Sequence, residues 1–369
     1  MHGLELGLHR DTPQRLLIGV IPGEGVGPEV VEAALTVLRA VEQTGDFRAE
    51  VRRGGVIGLE SETRGNGALS ADVVDFCGQV FADGGAVCTG AGGGRFVYDL
   101  RKRFDLYWKL SPIRVREELA GVSRFRSDHV RGVDLLLVRE TISGLYQGRW
   151  SLDGASENGR RAEHVYGAGE RDVRRVLDVA ATLAAERSGR LAIVVKRGGA
   201  PAISQLWEEC AEAVTEAHGL SSSLLDVDYA AYRMLQDPRE LDVVVAPNLF
   251  GDVLADLGGV LLGSRGLTYG ASFSSAGAAV YQTNHGSAYD LAGSDRANPA
   301  GQILALAMLL RESLGRADEA ALIEDALAAV WRSGWRTFDV AEPGCTVVGT
   351  REFAERTAEH VATLAPVGG

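Results

Sequence analysis

Cysteine and histidine are scarce in this chain, and neither clusters. The four cysteines (Cys77, Cys88, Cys210, Cys345) form no CxxC pair, and the seven histidines are equally scattered. That argues against a disulfide framework and against a Cys/His zinc site. Any metal is therefore expected on oxygen ligands. Long apolar runs are missing too: no stretch approaches the ~20 consecutive apolar residues of a membrane-spanning helix. Residues 1–15 carry His, Arg, Glu and Asp and lack the apolar centre of a signal peptide. Basic excess is absent as well. The net charge is −12, with both signs mixed along the chain, so neither nucleic acid nor an anionic membrane is expected as a partner. There is no internal repeat and no low-complexity tail.

What is present is an ordinary globular composition, 46% hydrophobic over 369 residues. That length holds two domains or one large α/β unit. Dispersed thiols suit a reducing compartment, so a cytoplasmic enzyme is expected. Residues 16–21 form a short apolar run closed by Pro22-Gly23, read as a buried strand entering a turn. Pro28 then stands where a helix start tolerates it, followed by Val31, Ala34, Leu38 and Val41 at helical spacing. Residues 133–138, 191–195 and 241–245 are Val/Leu-rich without polar alternation, as strands covered on both faces are. Amphipathic helices are marked by Val173, Val176, Ala180 and Leu183, and by residues 303–314. Strands alternating with helices predict an α/β architecture. Residues 148–169 are polar and weakly periodic, which predicts a long excursion or an extended hairpin arm.

Asp252 and Asp256 follow the run 241–245 and fall one helical turn apart. Like charges so placed repel unless a cation lies between them, and Mg²⁺ or Mn²⁺ would satisfy both. Two carboxylates at a helix start are also what the macrodipole favours, and on this pair alone that plainer reading stands first. The glycine loop Gly23–Gly27 follows a strand and opens a helix, yet it lacks the spacing of a Rossmann phosphate loop. It reads equally well as a structural turn.

Several segments, in order, resemble the β-decarboxylating dehydrogenases that act on isopropylmalate, isocitrate, homoisocitrate, tartrate and D-malate. They are Gly23 to Val30; Asp99-Leu100-Arg101 with Asp105-Leu106-Tyr107; Val138-Arg139-Glu140 with Gly144-Leu145-Tyr146; and Lys196 after its strand. Asp226-Val227-Asp228, Asn248 to Asp256, and His285-Gly286-Ser287-Ala288 with Ala297-Asn298-Pro299 complete the set. The resemblance runs from about residue 17 to about residue 314. It implies a two-domain α/β fold that is not Rossmann, with mixed sheets and helices on both faces. Residues 1–107 and 263–369 would form the cofactor-side domain. Residues 108–262 would form the metal-binding and dimerisation domain, with the arm at 148–169.

The resemblance also implies the chemistry: NAD-dependent, divalent-metal-dependent oxidation and decarboxylation of a 3-substituted malate to a 2-oxo acid and CO₂. Asp228, Asp252 and Asp256 would hold the metal. Lys196 would be the base and Tyr146 the acid that protonates the enol, with Lys196 and Asp228 coming from the second subunit of a homodimer with shared active sites. Burial at the end of its strand would lower the pKa of Lys196. Arg101 and Arg139 would grip the substrate carboxylates. His285, Gly286, Ser287, Ala288, Asp290 and Asn298 would bind the cofactor, with Asp290 selecting NAD because a carboxylate repels a 2′-phosphate. Each residue also has a plainer reading: a capping histidine, a solvated strand-end lysine, a packing tyrosine.

The chain departs from that pattern in places. The family's Leu-Arg-Pro is Leu110-Ser111-Pro112 here, and Arg114 is the nearby candidate to restore the charge. Gly198 stands where an asparagine is usual near the lysine, and Gln282 where a glutamate precedes the histidine. The substrate-specifying stretch 93–98 holds Arg95, which would receive an anionic substituent if it points inward and is otherwise a solvated loop residue. The expectation is a specialised 3-substituted malate. Tartrate or D-malate oxidation and a catalytically weakened regulatory subunit are the alternatives.

Overall fold

A computed structural model describes residues 16–45, 47–154 and 159–365. The expectation for residues 1–15 and the tip of the arm lie outside the described residues. The strands in chain order are β1 Leu17–Ile21, β2 Glu50–Arg53, β3 Ala86–Thr89, β4 Trp108–Arg114, β5 Asp134–Glu140, β6 Arg149–Leu152, β7 Ala162–Val165, β8 Arg190–Val195, β9 Ser221–Asp226, β10 Val243–Ala246, β11 Tyr269–Phe273, β12 Ala279–Thr283 and the short pair β13 Trp335–Arg336 and β14 Thr346–Val347. The helices are α1 Gly27–Thr44, α2 Gly58–Thr63, α3 Ala71–Ala82, α4 Phe96–Arg103, α5 Ser127–Val130, α6 Glu170–Ala185, α7 Pro201–His218, α8 Val227–Gln236, α9 Asn248–Leu262, α10 Ala300–Leu314, α11 Ala317–Arg332 and α12 Thr350–Leu364.

One continuous ten-stranded sheet organises the chain, in the order β2-β1-β3-β12-β11-β4-β5-β10-β8-β9. The expected mixed sheets are thus joined into one. On one side β2, β1, β3 and β12 run parallel; on the other β5, β10, β8 and β9 do. The antiparallel strands β11 and β4 stitch the two sides together. β1, β3 and β10 are buried along their whole length, as parallel strands sandwiched between helices must be. Pairing of β11 with β4 ends at Leu110, so Pro112, which has no N–H to donate, lies beyond that ladder.

Pro28 does sit in the first turn of α1, whose apolar stripe packs on the core. α6 presents Val173, Val176, Leu177 and Ala180 to the sheet. α10 is buried around nearly its whole circumference, which explains its almost uninterrupted apolar sequence. The arm is an antiparallel hairpin of β6 and β7, exposed on every residue. Trp150, Leu152 and Val165 stand in solvent there.

Candidate active site

The middle of the sheet carries a polar cleft. On β4, side chains two residues apart face the same side, so Lys109 and Ser111 both enter the cleft. Lys109 stands in register with Arg139 on β5. α4 contributes Arg101, α9 contributes Asp252 and Asp256, and the segment after β12 brings Asn284, His285 and Gly286. The space they enclose is about 240 Å³.

Its electrostatics are set by buried cations. Arg101 is 3% exposed and Lys109 5%. Burial and the neighbouring Arg139 push the Arg101 guanidinium down to about 9. Burial, with Arg101 and Arg139 close by, holds Lys109 well below the usual lysine range. Arg101 Nε has no hydrogen-bond partner, and the Lys109 ammonium makes no hydrogen bond or ion pair among the described residues. A buried donor left open beside an unpaired ammonium suits an anionic ligand.

Arg139 is aimed by its surroundings. Asn248 Oδ1 accepts from Arg139 Nε at 3.0 Å and from Nη2 at 2.8 Å, while Asn248 Nδ2 donates to the Ser143 carbonyl at 2.7 Å. Arg139 also pairs with Asp252. A side chain at Gly251 would strike the Arg139 stem at 2.8 Å, so the glycine lets α9 approach β5. The other Asp252 oxygen accepts from the Tyr146 hydroxyl at 2.9 Å. Burial raises the Asp252 carboxyl, but Arg139, Tyr146, Lys109 and Arg101 outweigh it and hold the carboxyl below its usual value. Burial and the Asp252 charge push the Tyr146 phenol up to about 12, so it keeps its proton at neutral pH. Asp256 pairs with Arg265 at 3.1 Å.

A second cavity of about 390 Å³ adjoins the cleft and shares Arg265, His285 and Gly286 with it. Ala288, Asp290, Asn298, Phe338 and Asp339 also line it. Burial lowers the pKa of His285, whose Nδ1 lies 2.9 Å from the Gly286 carbonyl. Asn298 is committed to structure: its Oδ1 accepts from Ala300 N–H at the start of α10, and its Nδ2 donates to Asp339. Ser287 is buried behind the loop, its carbonyl accepting from Val26 N–H at 2.8 Å. Gly25 has φ +63°, and a Cβ there would stand 1.9 Å from that carbonyl. The glycine loop is therefore a close backbone contact that holds the His285 loop in place.

Lys196 and Asp228 do not join this cleft within one chain. They pair with each other at 2.5 Å at the end of β8, two strands from β5. Among the described residues no three Asp, Glu, His or Cys side chains converge to hold a metal. The expectation that burial lowers the Lys196 pKa is not met here; its hydrogen bond to Asp228 raises it. Two candidate clamps also lie elsewhere. Arg114, an odd number of residues from Ser111, faces the opposite side of β4 and pairs with Asp134 at 3.8 Å. Arg95 turns toward the arm: its guanidinium stacks 4.7 Å from the Trp150 ring and donates to the Tyr146 carbonyl at 3.2 Å. Sequence reasoning passed over Lys109, Arg265 and Asp339, which carry no signal until β4 and the loops are placed; Asn248 stood within the Asn248–Asp256 motif, but its hold on Arg139 shows only in the fold.

The sequence matches the family model for isocitrate/isopropylmalate dehydrogenase over residues 17–357. It is 35% identical to the 3-isopropylmalate dehydrogenase of Carboxydothermus hydrogenoformans, covering 93% of this chain and 94% of that one. It is 34% identical to the same-named enzyme of Gloeobacter violaceus, covering 93% and 97%. Its fold is similar to that of isocitrate dehydrogenase from Methylococcus capsulatus, with a TM-score of 0.83 and 29% identity over 94% of this chain and 99% of that one. With cleft, fold and sequence in agreement, the chain belongs to the isocitrate/isopropylmalate dehydrogenase family and is a β-decarboxylating hydroxy-acid dehydrogenase.

Proposed function

We propose that this protein oxidises and decarboxylates a specialised 3-substituted malate, using NAD and Mg²⁺ or Mn²⁺. The observation that carries the reading is the contact between the protonated Tyr146 hydroxyl and Asp252, in a cleft whose buried Arg101 and Arg139 face it. Asp252 and Asp256 offer hard oxygen donors one turn apart, a chemistry that fits a divalent ion; Asp228 from a second copy would complete the set. The ion would draw electron density from the C2 oxygen, and NAD⁺ would accept the hydride.

The chain's own residues do the rest. Arg101 and Arg139 bind and orient the substrate carboxylates. Lys196, contributed by a second copy, would take the C2 hydroxyl proton as the C2–H hydride leaves, in its neutral form and released from the Asp228 pairing that raises its pKa in the single chain. The bond from C3 to its carboxyl then breaks, its electron pair passing into the enol as CO₂ departs. Tyr146 returns a proton to C3, and the 2-oxo acid forms. The adjoining cavity would hold the cofactor; His285, Gly286, Ala288 and Asp290 line it, and the Asp290 carboxylate would accept from a ribose diol and disfavour a 2′-phosphate. Ser287 and Asn298 shape that cavity through backbone and capping contacts.

The substituent at C3 would lie against Phe96, Val97 and Tyr98 at the start of α4. Residues 1–107 with 263–369, and residues 108–262, would act as two lobes closing on the substrate and excluding water. A homodimer with shared active sites is the smallest working unit, its arms at 148–169 meeting across the interface. Dispersed, unpaired cysteines suit a reducing, cytoplasmic compartment. Among the described residues no helix is long and apolar enough to cross a membrane.

A panel of malates substituted at C3, read by NADH formation with Mn²⁺, tests the reading. One substituted malate should be turned over well ahead of tartrate, D-malate and 3-isopropylmalate. NAD binding without turnover of any of them would favour a regulatory subunit.

A further inference from the structure

The family pattern places an arginine where this chain has Ser111, and the charge it would carry must come from elsewhere if the substrate is a dianion. Ser111 cannot supply it: its hydroxyl accepts from Asn284 Nδ2 at 3.1 Å. Nor can Arg114, which is turned to the far face of β4 and held by Asp134. Lys109 can. It is two residues from Ser111 on the same face of the same strand, about 7 Å along it. A lysine side chain spans most of that distance. Its register partner on β5 is Arg139, and Arg101 is close enough to perturb it.

Resting on the function proposed above, we propose that Lys109 is the substrate-carboxylate ligand that takes the place of the arginine absent at position 111. Three observations converge on it. Lys109 is buried and lines the cleft. Its ammonium opens into the cleft and makes no hydrogen bond or ion pair with another described residue, although a cation held among other cations in a low-dielectric cleft is disfavoured unless an anion joins it. And Arg101, on the facing helix, keeps a buried Nε with nothing to bond. Asp252 is the one carboxylate drawn tightly into this cationic group, and Arg139 and Tyr146 already occupy its two oxygens. An anion entering between Arg101, Lys109 and Arg139 would give Arg101 and Lys109 the partner they lack and would add to the contacts Arg139 already makes.

The exchange has a consequence for recognition. A guanidinium binds a carboxylate through a planar two-point fork, whereas an ammonium is a compact charge on a flexible stem. The lysine also enters from two strand positions nearer the Glu140 end of β5, which moves the anion-binding centre toward Arg139. A substrate held this way has more space beside Ser111 than one held by an arginine there. The shifted charge, with serine at 111, is what sets this chain's substrate apart.

The test compares Lys109→Met, Lys109→Arg and the double variant Lys109→Met/Ser111→Arg with the unaltered protein. One readout is D-malate binding by calorimetry with Mn²⁺ present; the other is KM and kcat on the best substrate of the panel. NAD binding and thermal unfolding report whether each variant is folded. Lys109→Met should weaken D-malate binding by about 30-fold or more, with the loss of activity appearing chiefly in KM. Lys109→Arg should keep part of the affinity, and the double variant should recover at least a tenth of it. A folded Lys109→Met that binds D-malate within twofold of the unaltered protein overturns the assignment, as does a double variant no better than Lys109→Met. The binding arm needs no turnover. If D-malate binding depends on Lys109 while no malate is oxidised, the ligand assignment stands and the proposed reaction fails. If oxidation proceeds unaffected by Lys109→Met, the reaction stands and the assignment fails.

Discussion

Replacing Asn248 with alanine should damage this protein out of proportion to the size of the change. Asn248 is 1% exposed, and its side chain makes three hydrogen bonds, two of them received from the Arg139 guanidinium at 3.0 and 2.8 Å. Bonds to a charged group contribute roughly 1.5–3 kcal/mol each, and deleting their acceptor leaves two buried N–H groups without water. The third bond, to the Ser143 carbonyl, contributes about 1 kcal/mol as an ordinary neutral pair. Asp252 continues to hold the Nη1 side of Arg139, so the loss should stop short of the full sum. About 3 kcal/mol of unfolding free energy is expected to go, read as a lowered urea midpoint at unchanged slope. Arg139 should also lose its fixed direction and raise KM, and Asn248→Asp should recover much of both effects because it keeps the acceptor. A loss under about 1 kcal/mol with KM unchanged would show that Asn248 does not aim Arg139.

Two other outcomes follow from the same geometry. Tyr146→Phe should retain substrate binding but lower turnover by about 100-fold or more, the usual contribution of a positioned acid. Because the Tyr146 phenol is raised to about 12, its protonated form persists as pH rises, and no loss of activity below about pH 10 should disappear in this variant. Separately inactive Lys196→Ala and Asp252→Asn chains, refolded together, should recover part of the activity measured by NADH formation. No recovery would place a complete site within one chain.

How far the fold was legible depends on burial. β5, β8 and β10 were read from their aliphatic runs because parallel strands covered on both faces leave no room for polar residues, and the observed bounds differ by one or two residues. α10 was visible for the same reason. β4 escaped notice because Trp108-Lys109-Leu110-Ser111-Pro112 mixes apolar, charged and proline residues, and its polar half faces a cleft rather than solvent. That single omission hid Lys109 and also made Arg114 look like a neighbour of Ser111. Arg114 is near Ser111 in sequence, but strand parity puts the two on opposite faces of β4. Arg95 takes its direction from Trp150, an aromatic partner on an arm far along the chain that no local pattern announces. Asp252, Asp256, Tyr146 and Arg139 were recognised by motif and do meet in space. Arg265 and Asp339 were missed, since each owes its place to the loops around α9 and α10 and to no pattern of its own.

The central claim is that this cleft couples oxidation at C2 to loss of the C3 carboxyl. The most direct measurement is NADH formation and CO₂ release recorded together on the preferred malate, with Mn²⁺ and then with excess chelator. One CO₂ per NADH, with both abolished by the chelator and restored by added Mn²⁺, is the predicted result. NADH formed without CO₂, or a rate indifferent to the chelator, would contradict it.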